Sequence, residues 1–398
     1  MILRSVPFPR GRRATPLLAV AVGLLVTSSI PTSAGAHGPD RGPDRADRWA
    51  QSPGTLGPPG RRAVYAHRGA SGYRPEHTRG AYELAIRQGA DVIEPDLVLT
   101  KDGVLVDRHE NEISGTTDVA DHPEFADRKR TATIDGQQVT GWFTEDFTLA
   151  ELRTLRAKER LPDLRPANAR YDGRWKVPTL QEVVDLAREA SRRTGRTIAL
   201  APEIKHSTYF HAIGFDPERS LVELLRRNRL DSRRSPVIVQ SFETANLKWL
   251  DRHAKVRTVQ LLDASGTPAD VAAAGGSTTY ADLATPTGLR GIARYADAVA
   301  PNTAWVVPRD ATGRSLAPTS FVDDAHRAGL PVVVWTFRRE NSFLPLERRS
   351  SADPAQPGDL HGYVTQFLRL GVDAVFTDNP DVGVAARDAF ERDRPRRR

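Results

Sequence analysis

The feature that most constrains this chain is a recurrence: between Ala63 and Thr377, short apolar runs alternate with amphipathic stretches. The runs are Ala63–His67, Val92–Thr100, Thr197–Ile204, Pro236–Phe242, Arg257–Leu262, Ala296–Pro301, Pro331–Phe337 and Asp373–Thr377. Most are continuously apolar, as strands covered on both faces of a parallel sheet must be. Helix signals lie between them. Thr78–Gln88 is closed by Gly89, a capping box Thr179-x-x-Glu182 opens Thr179–Arg192, Asp323–Ala328 precedes Gly329, and Gly362–Leu370 precedes Gly371. Eight strands with crossover helices predict an α/β fold, a closed (β/α)8 TIM barrel. A further run, Val104–Arg108, follows Lys101-Asp102-Gly103, whose Asp-Gly pair is a turn signal. It reads as the return arm of a β-hairpin, outside the barrel count. Residues 111–178 resist the βα pattern, with one helix start at Thr148-x-x-Glu151, and read as a cap region inserted at the barrel mouth after the hairpin.

The flanks differ in texture. Residues 1–36 combine a basic start (Arg4, Arg10, Arg12, Arg13), an uncharged stretch Pro16–Ile30 and a small-residue site Ala34-Gly35-Ala36, the layout of a secretory signal peptide. The strongly apolar part is about 15 residues, short of the roughly 20 that span a bilayer, so no stable membrane span is expected after cleavage. Residues 37–62 are rich in Gly, Pro, Asp and Arg and read as a disordered linker; 63–390 form the barrel, and 391–398 a basic tail. The expected location is therefore extracellular or periplasmic. Net charge is +7, but the first 62 residues carry +6 and the last seven +4, which leaves −3 for residues 63–391. A mildly acidic folded part argues against nucleic-acid binding. The chain has no Cys, which excludes disulfides, thiolate metal sites and Cys nucleophiles.

Barrel active sites lie at the C-terminal ends of the strands, and here those ends are polar while the strand bodies are apolar. The first ends His67-Arg68-Gly69, the second carries Glu94-Pro95-Asp96, the third Glu203-Ile204-Lys205, the fourth Gln240-Ser241-Phe242 and the seventh Trp335-Thr336; the hairpin arm ends at His109-Glu110. Glu94 and Asp96 are two residues apart on a strand and so face the same way. Their mutual repulsion is relieved either by a divalent cation, with Glu203 as third oxygen ligand, or by Arg and Lys partners. His67 and His109 fall among these carboxylates with an ordinary pKa of about 6.5, suited to proton transfer. The other eight, such as His122, His206 and His361, lack this setting. Arg68 and Lys205 can clamp an anionic group or simply balance the acids.

Together these residues resemble the glycerophosphodiester phosphodiesterases. The resemblance rests on Ala66-His67-Arg68-Gly69-Ala70-Ser71-Gly72, Pro75-Glu76-His77-Thr78, Glu94-x-Asp96, Thr100-Lys101-Asp102-Gly103, Val106-x-x-His109, Glu203-x-Lys205, Gln240-Ser241-Phe242 and Val334-Trp335-Thr336, in that order from Ala63 to about Pro380. It implies hydrolysis of small glycerophosphodiesters to sn-glycerol 3-phosphate and an alcohol. It also implies one divalent cation, Ca²⁺ ahead of Mg²⁺, on Glu94, Asp96 and Glu203, with His67 and His109 as acid and base. Arg68 and Lys205 would hold the phosphate, Glu76 would touch the substrate or support residues that do, and Phe242 and Trp335 would line a glycerol pocket or belong to the barrel core. Two positions bear on the assignment. Glu110 stands where many members have Asp, and is read as orienting the loop; His77 stands where most smaller members have Asn, which points to the larger periplasmic and secreted subgroup. The competing readings are a phospholipase D-like enzyme or a teichoic-acid-type phosphodiesterase on the same barrel, and a non-catalytic binding protein. Monomer and dimer are not distinguished.

Overall fold

The computed structural model describes residues 61–393. The expected signal peptide (1–36), the expected linker (37–62) except its last two residues, and the last five residues of the tail lie outside the described residues. A barrel closes on itself among the described residues. Strand β1 (Ala63–Ala66) pairs in parallel with β2 (Val92–Ile93) on one side and with the last strand, β13 (Ala374–Thr377), on the other, in register Ala63↔Ala374 to Ala66↔Thr377. The circuit runs on through β3 (Asp96–Leu99), β7 (Ala199–Leu200), β8 (Glu203–Ile204), β9 (Ile238–Ser241), β10 (Arg257–Leu262), β11 (Ala298–Pro301) and β12 (Val333–Phe337). Parallel bridges Val299↔Val332 and Asn302↔Trp335 join β11 to β12 and complete it.

Two expected strands are each split in two. Val92–Thr100 divides into β2 and β3 around Glu94-Pro95, and Thr197–Ile204 into β7 and β8 around Ala201-Pro202. The cause is the same in both: proline has no N–H to give the ladder. Its carbonyl still accepts, from Glu203 N onto Pro95 at 2.9 Å and from Gln240 N onto Pro202 at 2.9 Å, so the barrel stays continuous through each break. Counted as pairs, β2/β3 and β7/β8 restore the eight staves.

Seven helices cross between successive staves and an eighth follows the last: α1 (Arg79–Arg87), α2 (Leu180–Thr194), α3 (Pro217–Arg227), α4 (Thr244–His253), α5 (Pro286–Ile292), α6 (Phe321–Arg327), α7 (Leu360–Arg369) and, after β13, α8 (Pro380–Asp393). Their starts follow from the sequence. Thr78 accepts from Ala81 N at the head of α1, and Thr179 with Glu182 forms a reciprocal capping box at the head of α2. Helix α8 runs to Asp393, three residues into the segment expected as tail. Side chains alternate across the staves: Ala63, Tyr65, Val259, Leu261, Ala298, Ala300, Ala374 and Phe376 fill the barrel, while Val64, Val299, Val334 and Val375 pack against the helices.

The hairpin forms as expected. Strand β4 (Leu105–Asp107) returns antiparallel along β3, in register Leu99↔Leu105 to Leu97↔Asp107. Residues 111–178 then supply a second hairpin, β5 (Arg130–Ile134) with β6 (Gln137–Gly141), and short helical turns, before α2 resumes the pattern.

Candidate active site

The proline breaks lie where the carboxylates meet. Asp96 is the register partner of Glu203, and Glu203 of Gln240. Ligand oxygens of Glu94, Asp96 and Glu203 lie within 4.8 Å of one another, and all three residues are buried. Burial together with the charges of Asp96 and Glu203 pushes Glu94 well above the usual carboxylate range. Burial and Asp96 push Glu203 up to about 7 against the pull of Lys205. Asp96 is held below its ordinary range in spite of burial, chiefly by His77, whose Nε2 is 2.9 Å from Oδ2, and by Arg68. Its other oxygen, Oδ1, is buried without a hydrogen-bond partner. Three converging carboxylates, one with an orphaned oxygen, fit a hard divalent cation, which takes oxygen ligands and offsets this repulsion.

Two histidines share a recess with Glu94 and Glu203. His67 ends β1, and its Nδ1 lies 2.6 Å from Asp378 Oδ1; Nε2 is 4.0 Å from Glu94 Oε2. Burial, with Arg68 adding to it, lowers His67 to about 4 although Asp378 pulls the other way. His109 follows the hairpin arm, which Arg108 N ties to Asp96 O at 2.9 Å. Its Nδ1 is 2.5 Å from Glu110 Oε1, and the Lys205 ammonium donates to its Nε2 at 3.2 Å. Burial, Arg68 and Lys205 hold His109 well below the ordinary histidine range. His67 thus carries its proton on Nδ1, bonded to Asp378; in His109 the Lys205 ammonium on Nε2 leaves the proton on Nδ1, which faces Glu110 at ion-pair distance without hydrogen-bond geometry.

The cations are arranged around the same opening. Arg68 sits in the left-handed region at φ 60; its N–H donates to Glu94 Oε2 at 3.0 Å and its guanidinium to Glu76 at 3.0 and 3.1 Å. Lys205 pairs with Glu203 Oε1 at 3.0 Å. A cleft of about 880 Å³ opens from Arg68, His109, Glu203 and Lys205, and Phe242 and Trp335 stand on its wall, edge to face at 5.4 Å. Glu76 does not line it. It lies behind Arg68 and also accepts from Arg160 at 2.9 Å, and these two cations hold its carboxyl well below the usual range despite burial.

Four contributors were not singled out from the sequence. Asp378 follows β13 directly and accepts from Arg165 at 2.5 Å and from Arg338 at 2.9 Å. It shares the polar strand-end signature, so the rule that found His67 also reaches it. Arg338, past the end of β12, lines the smaller recess beside His67. Arg165 comes from the insertion, where no periodicity marks it. His206, set aside as a histidine without a setting, bonds Glu110 and Asp135 at the mouth.

A (β/α)8 barrel whose mouth joins a three-carboxylate cluster, two carboxylate-backed histidines and an Arg–Lys pair defines a phosphodiester hydrolase. The Glycerophosphoryl diester phosphodiesterase family matches residues 67–382. A glycerophosphodiester phosphodiesterase of Arabidopsis thaliana is 36% identical over 325 residues, 79% of this chain and 82% of the relative. One of Haemophilus influenzae is 28% identical over 341 residues, 81% and 88% of the two chains. Among solved structures, an Oleispira antarctica phosphodiesterase superposes with a TM-score of 0.53 at 19% identity, covering 82% of this chain and 97% of that one, a likeness of fold. The chain belongs to the glycerophosphoryl diester phosphodiesterase family. It is a hydrolase of glycerophosphodiesters, and the phospholipase D-like alternative is not favoured.

Proposed function

We propose that the chain hydrolyses small glycerophosphodiesters to sn-glycerol 3-phosphate and an alcohol, with His67 and His109 as acid and base and one cation, Ca²⁺ ahead of Mg²⁺, on Glu94, Asp96 and Glu203. The observation that carries this reading is that one recess is lined by His67, whose Nε2 is 4.0 Å from Glu94, and by His109, whose Nε2 meets the Lys205 ammonium that pairs with Glu203. The Oleispira neighbour is in complex with the product sn-glycerol-3-phosphate, which supports the product assigned here. A bound divalent cation would supply positive charge for the phosphate. Calcium suits an all-oxygen site at an open mouth because it accepts six to eight ligands. Arg68 and Lys205 add fixed charge against the same phosphate, and burial strengthens it. One imidazole takes the proton of the attacking hydroxyl and the other returns one to the leaving alcohol, each ring held in orientation from its Nδ1 side.

Beyond Lys205 the cleft changes sign. There Asp135 is paired with His206, and Glu243 and Asp263 line the cleft with Tyr209 and Tyr280, a wall that suits a cationic alcohol such as choline or ethanolamine. The basic and apolar start of the sequence and His77 support assignment to the larger secreted or periplasmic subgroup. Among the described residues no helix is long and apolar enough to cross a membrane.

The test is a product assay on glycerophosphocholine, glycerophosphoethanolamine, glycerophosphoserine and glycerophosphoglycerol, each with Ca²⁺, with Mg²⁺ and with excess chelator. Release of glycerol 3-phosphate that depends on added cation is expected, fastest with the two cationic alcohols under Ca²⁺. Full activity in chelator would refute the cation role.

A further inference from the structure

The insertion reaches the barrel mouth at two places, and each contact ends on a carboxylate that backs a histidine. On one side Arg165 grips Asp378, which holds His67. On the other side lies a chain of four side chains. Asp135, at the tip of the β5–β6 hairpin, has Oδ2 at 2.7 Å from His206 Nδ1. Nε2 of the same ring is 3.0 Å from Glu110 Oε2, and the second oxygen of Glu110 stands 2.5 Å from His109 Nδ1. Both nitrogens of His206 therefore face carboxylates, so the ring carries two protons and one positive charge.

The backbone is committed to this arrangement. His206 sits at φ 50, a left-handed conformation that a non-glycine residue adopts only at a cost. It precedes the short helix Ser207–Ala212, yet its side chain makes no capping bond there. The ring points across to Glu110 and Asp135 instead. Glu110 needs such a partner, because its side chain is half exposed at 48%. An acid so placed exchanges its contacts with water and samples several rotamers unless a fixed charge selects one.

We infer that His206 is a positioning residue for the hydrolysis: it fixes Glu110 on Nδ1 of His109, and Asp135 fixes His206, so that the hairpin of the insertion sets the orientation of His109. The inference rests on the assignment of His109 to the acid–base pair. In that orientation Nδ1 faces Glu110 and Nε2 accepts from Lys205, so Nε2 is the nitrogen turned toward the substrate.

The test compares H109A, E110A, H206A and the double variant E110A/H206A by kcat and KM for glycerophosphocholine in saturating Ca²⁺, with a melting curve for each. Misplacement of a reacting group by about 1 Å costs up to about 10²-fold, so H206A is expected to lower kcat about tenfold with KM within about twofold. Because His206 acts through Glu110, the double variant is expected to fall no further than E110A. Independent, multiplying losses, or an H206A enzyme with unchanged kcat, overturn the inference. Arginine keeps two-sided donation, so H206R is expected to recover most of the kcat lost in H206A; no recovery in folded H206R counts against it. Should H206A not fold, H206N, which reaches one carboxylate at a time, replaces it with the same expected loss, and wild-type kcat in H206N is equally contrary. A fully active H109A would instead remove the acid–base assignment itself, a different failure from an inactive H109A beside an unaffected H206A.

Discussion

Asp378 holds Nδ1 of His67 at 2.6 Å across 311 residues of chain, joining the last strand of the barrel to the first. Its second oxygen is taken by Arg165 and Arg338, so the carboxylate has little freedom to turn away. A carboxylate so placed fixes the imidazole tautomer and stabilises the ring when it gains a proton. Asp378→Asn is expected to lower kcat by about 10²-fold with KM changed far less. Steady-state kinetics on glycerophosphocholine checks this, and near wild-type turnover would remove Asp378 from the mechanism.

His67→Ala and His109→Ala are each expected to cut kcat by at least about 10²-fold. Asp378 keeps Arg165 and Arg338 when His67 is removed, and His109 lies past the end of the hairpin arm, so both variants should retain the native melting transition. An active His67→Ala enzyme would mean that the proton transfers are routed elsewhere.

Much of this arrangement is legible in the sequence, and the exceptions have physical causes. The staves are readable because strands buried on both faces leave continuous apolar runs, and the hairpin because Asp102-Gly103 marks its turn. Glu94, Asp96, Glu203 and the two histidines stand at strand or arm ends, where polar residues interrupt those runs. Pro95 and Pro202 were visible as residues, but their consequence was not, because a missing donor breaks a ladder without breaking the apolar pattern. Arg165 and His206 were unreadable for another reason. Each acts on a partner distant in sequence, Asp378 or Asp135, through an insertion whose fold leaves no periodicity.

On the proposed reading, the carboxylate cluster trades stability for cation binding. Glu94 is driven well above the usual range by burial and its acidic neighbours, so the cation-free protein carries that repulsion. Glu94→Gln removes one acid while keeping its shape. In chelator, the variant should melt no lower than wild type. On adding Ca²⁺, wild type should gain melting temperature and activity while the variant gains neither. Equal stabilisation of both proteins by Ca²⁺ would exclude Glu94 as a ligand.

The His206 bridge gives a pH dependence of definite sign. Burial alone would lower this histidine, but Asp135 and Glu110 outweigh it and lift the group to about 9, with Lys205 opposing them. A folded value above the unfolded one, about 6.5, means that the bound proton favours the fold. This contribution is complete below about 6.5 and is lost as pH rises through about 9. The gap in melting temperature between wild type and His206→Asn should therefore be wide at pH 6 and narrow at pH 9.5. A gap that stays constant would mean that the ring is not charged between its two carboxylates.

Gly103 links the hairpin turn to the position of His109. It adopts φ 76, and a β-carbon built there would meet nothing within 4 Å, so the cost of a side chain lies in the backbone alone. For a β-branched residue that cost is about 1–2 kcal/mol. The turn is closed by Gly103 N to Thr100 O at 2.9 Å and Thr100 N to Val104 O at 3.0 Å, and these bonds set the register that ends with Arg108 N on Asp96 O. A loosened turn lets the arm shift against β3, and His109 moves with it. The carboxylates stay in place because they belong to barrel staves. Gly103→Val is expected to lower kcat about three- to tenfold, in the range of a sub-ångström misplacement, while a calcium titration gives the wild-type affinity. Equal loss of both would mean that the substitution disturbs the barrel, and unchanged kcat that His109 is held by Glu110 and Lys205 without help from the turn.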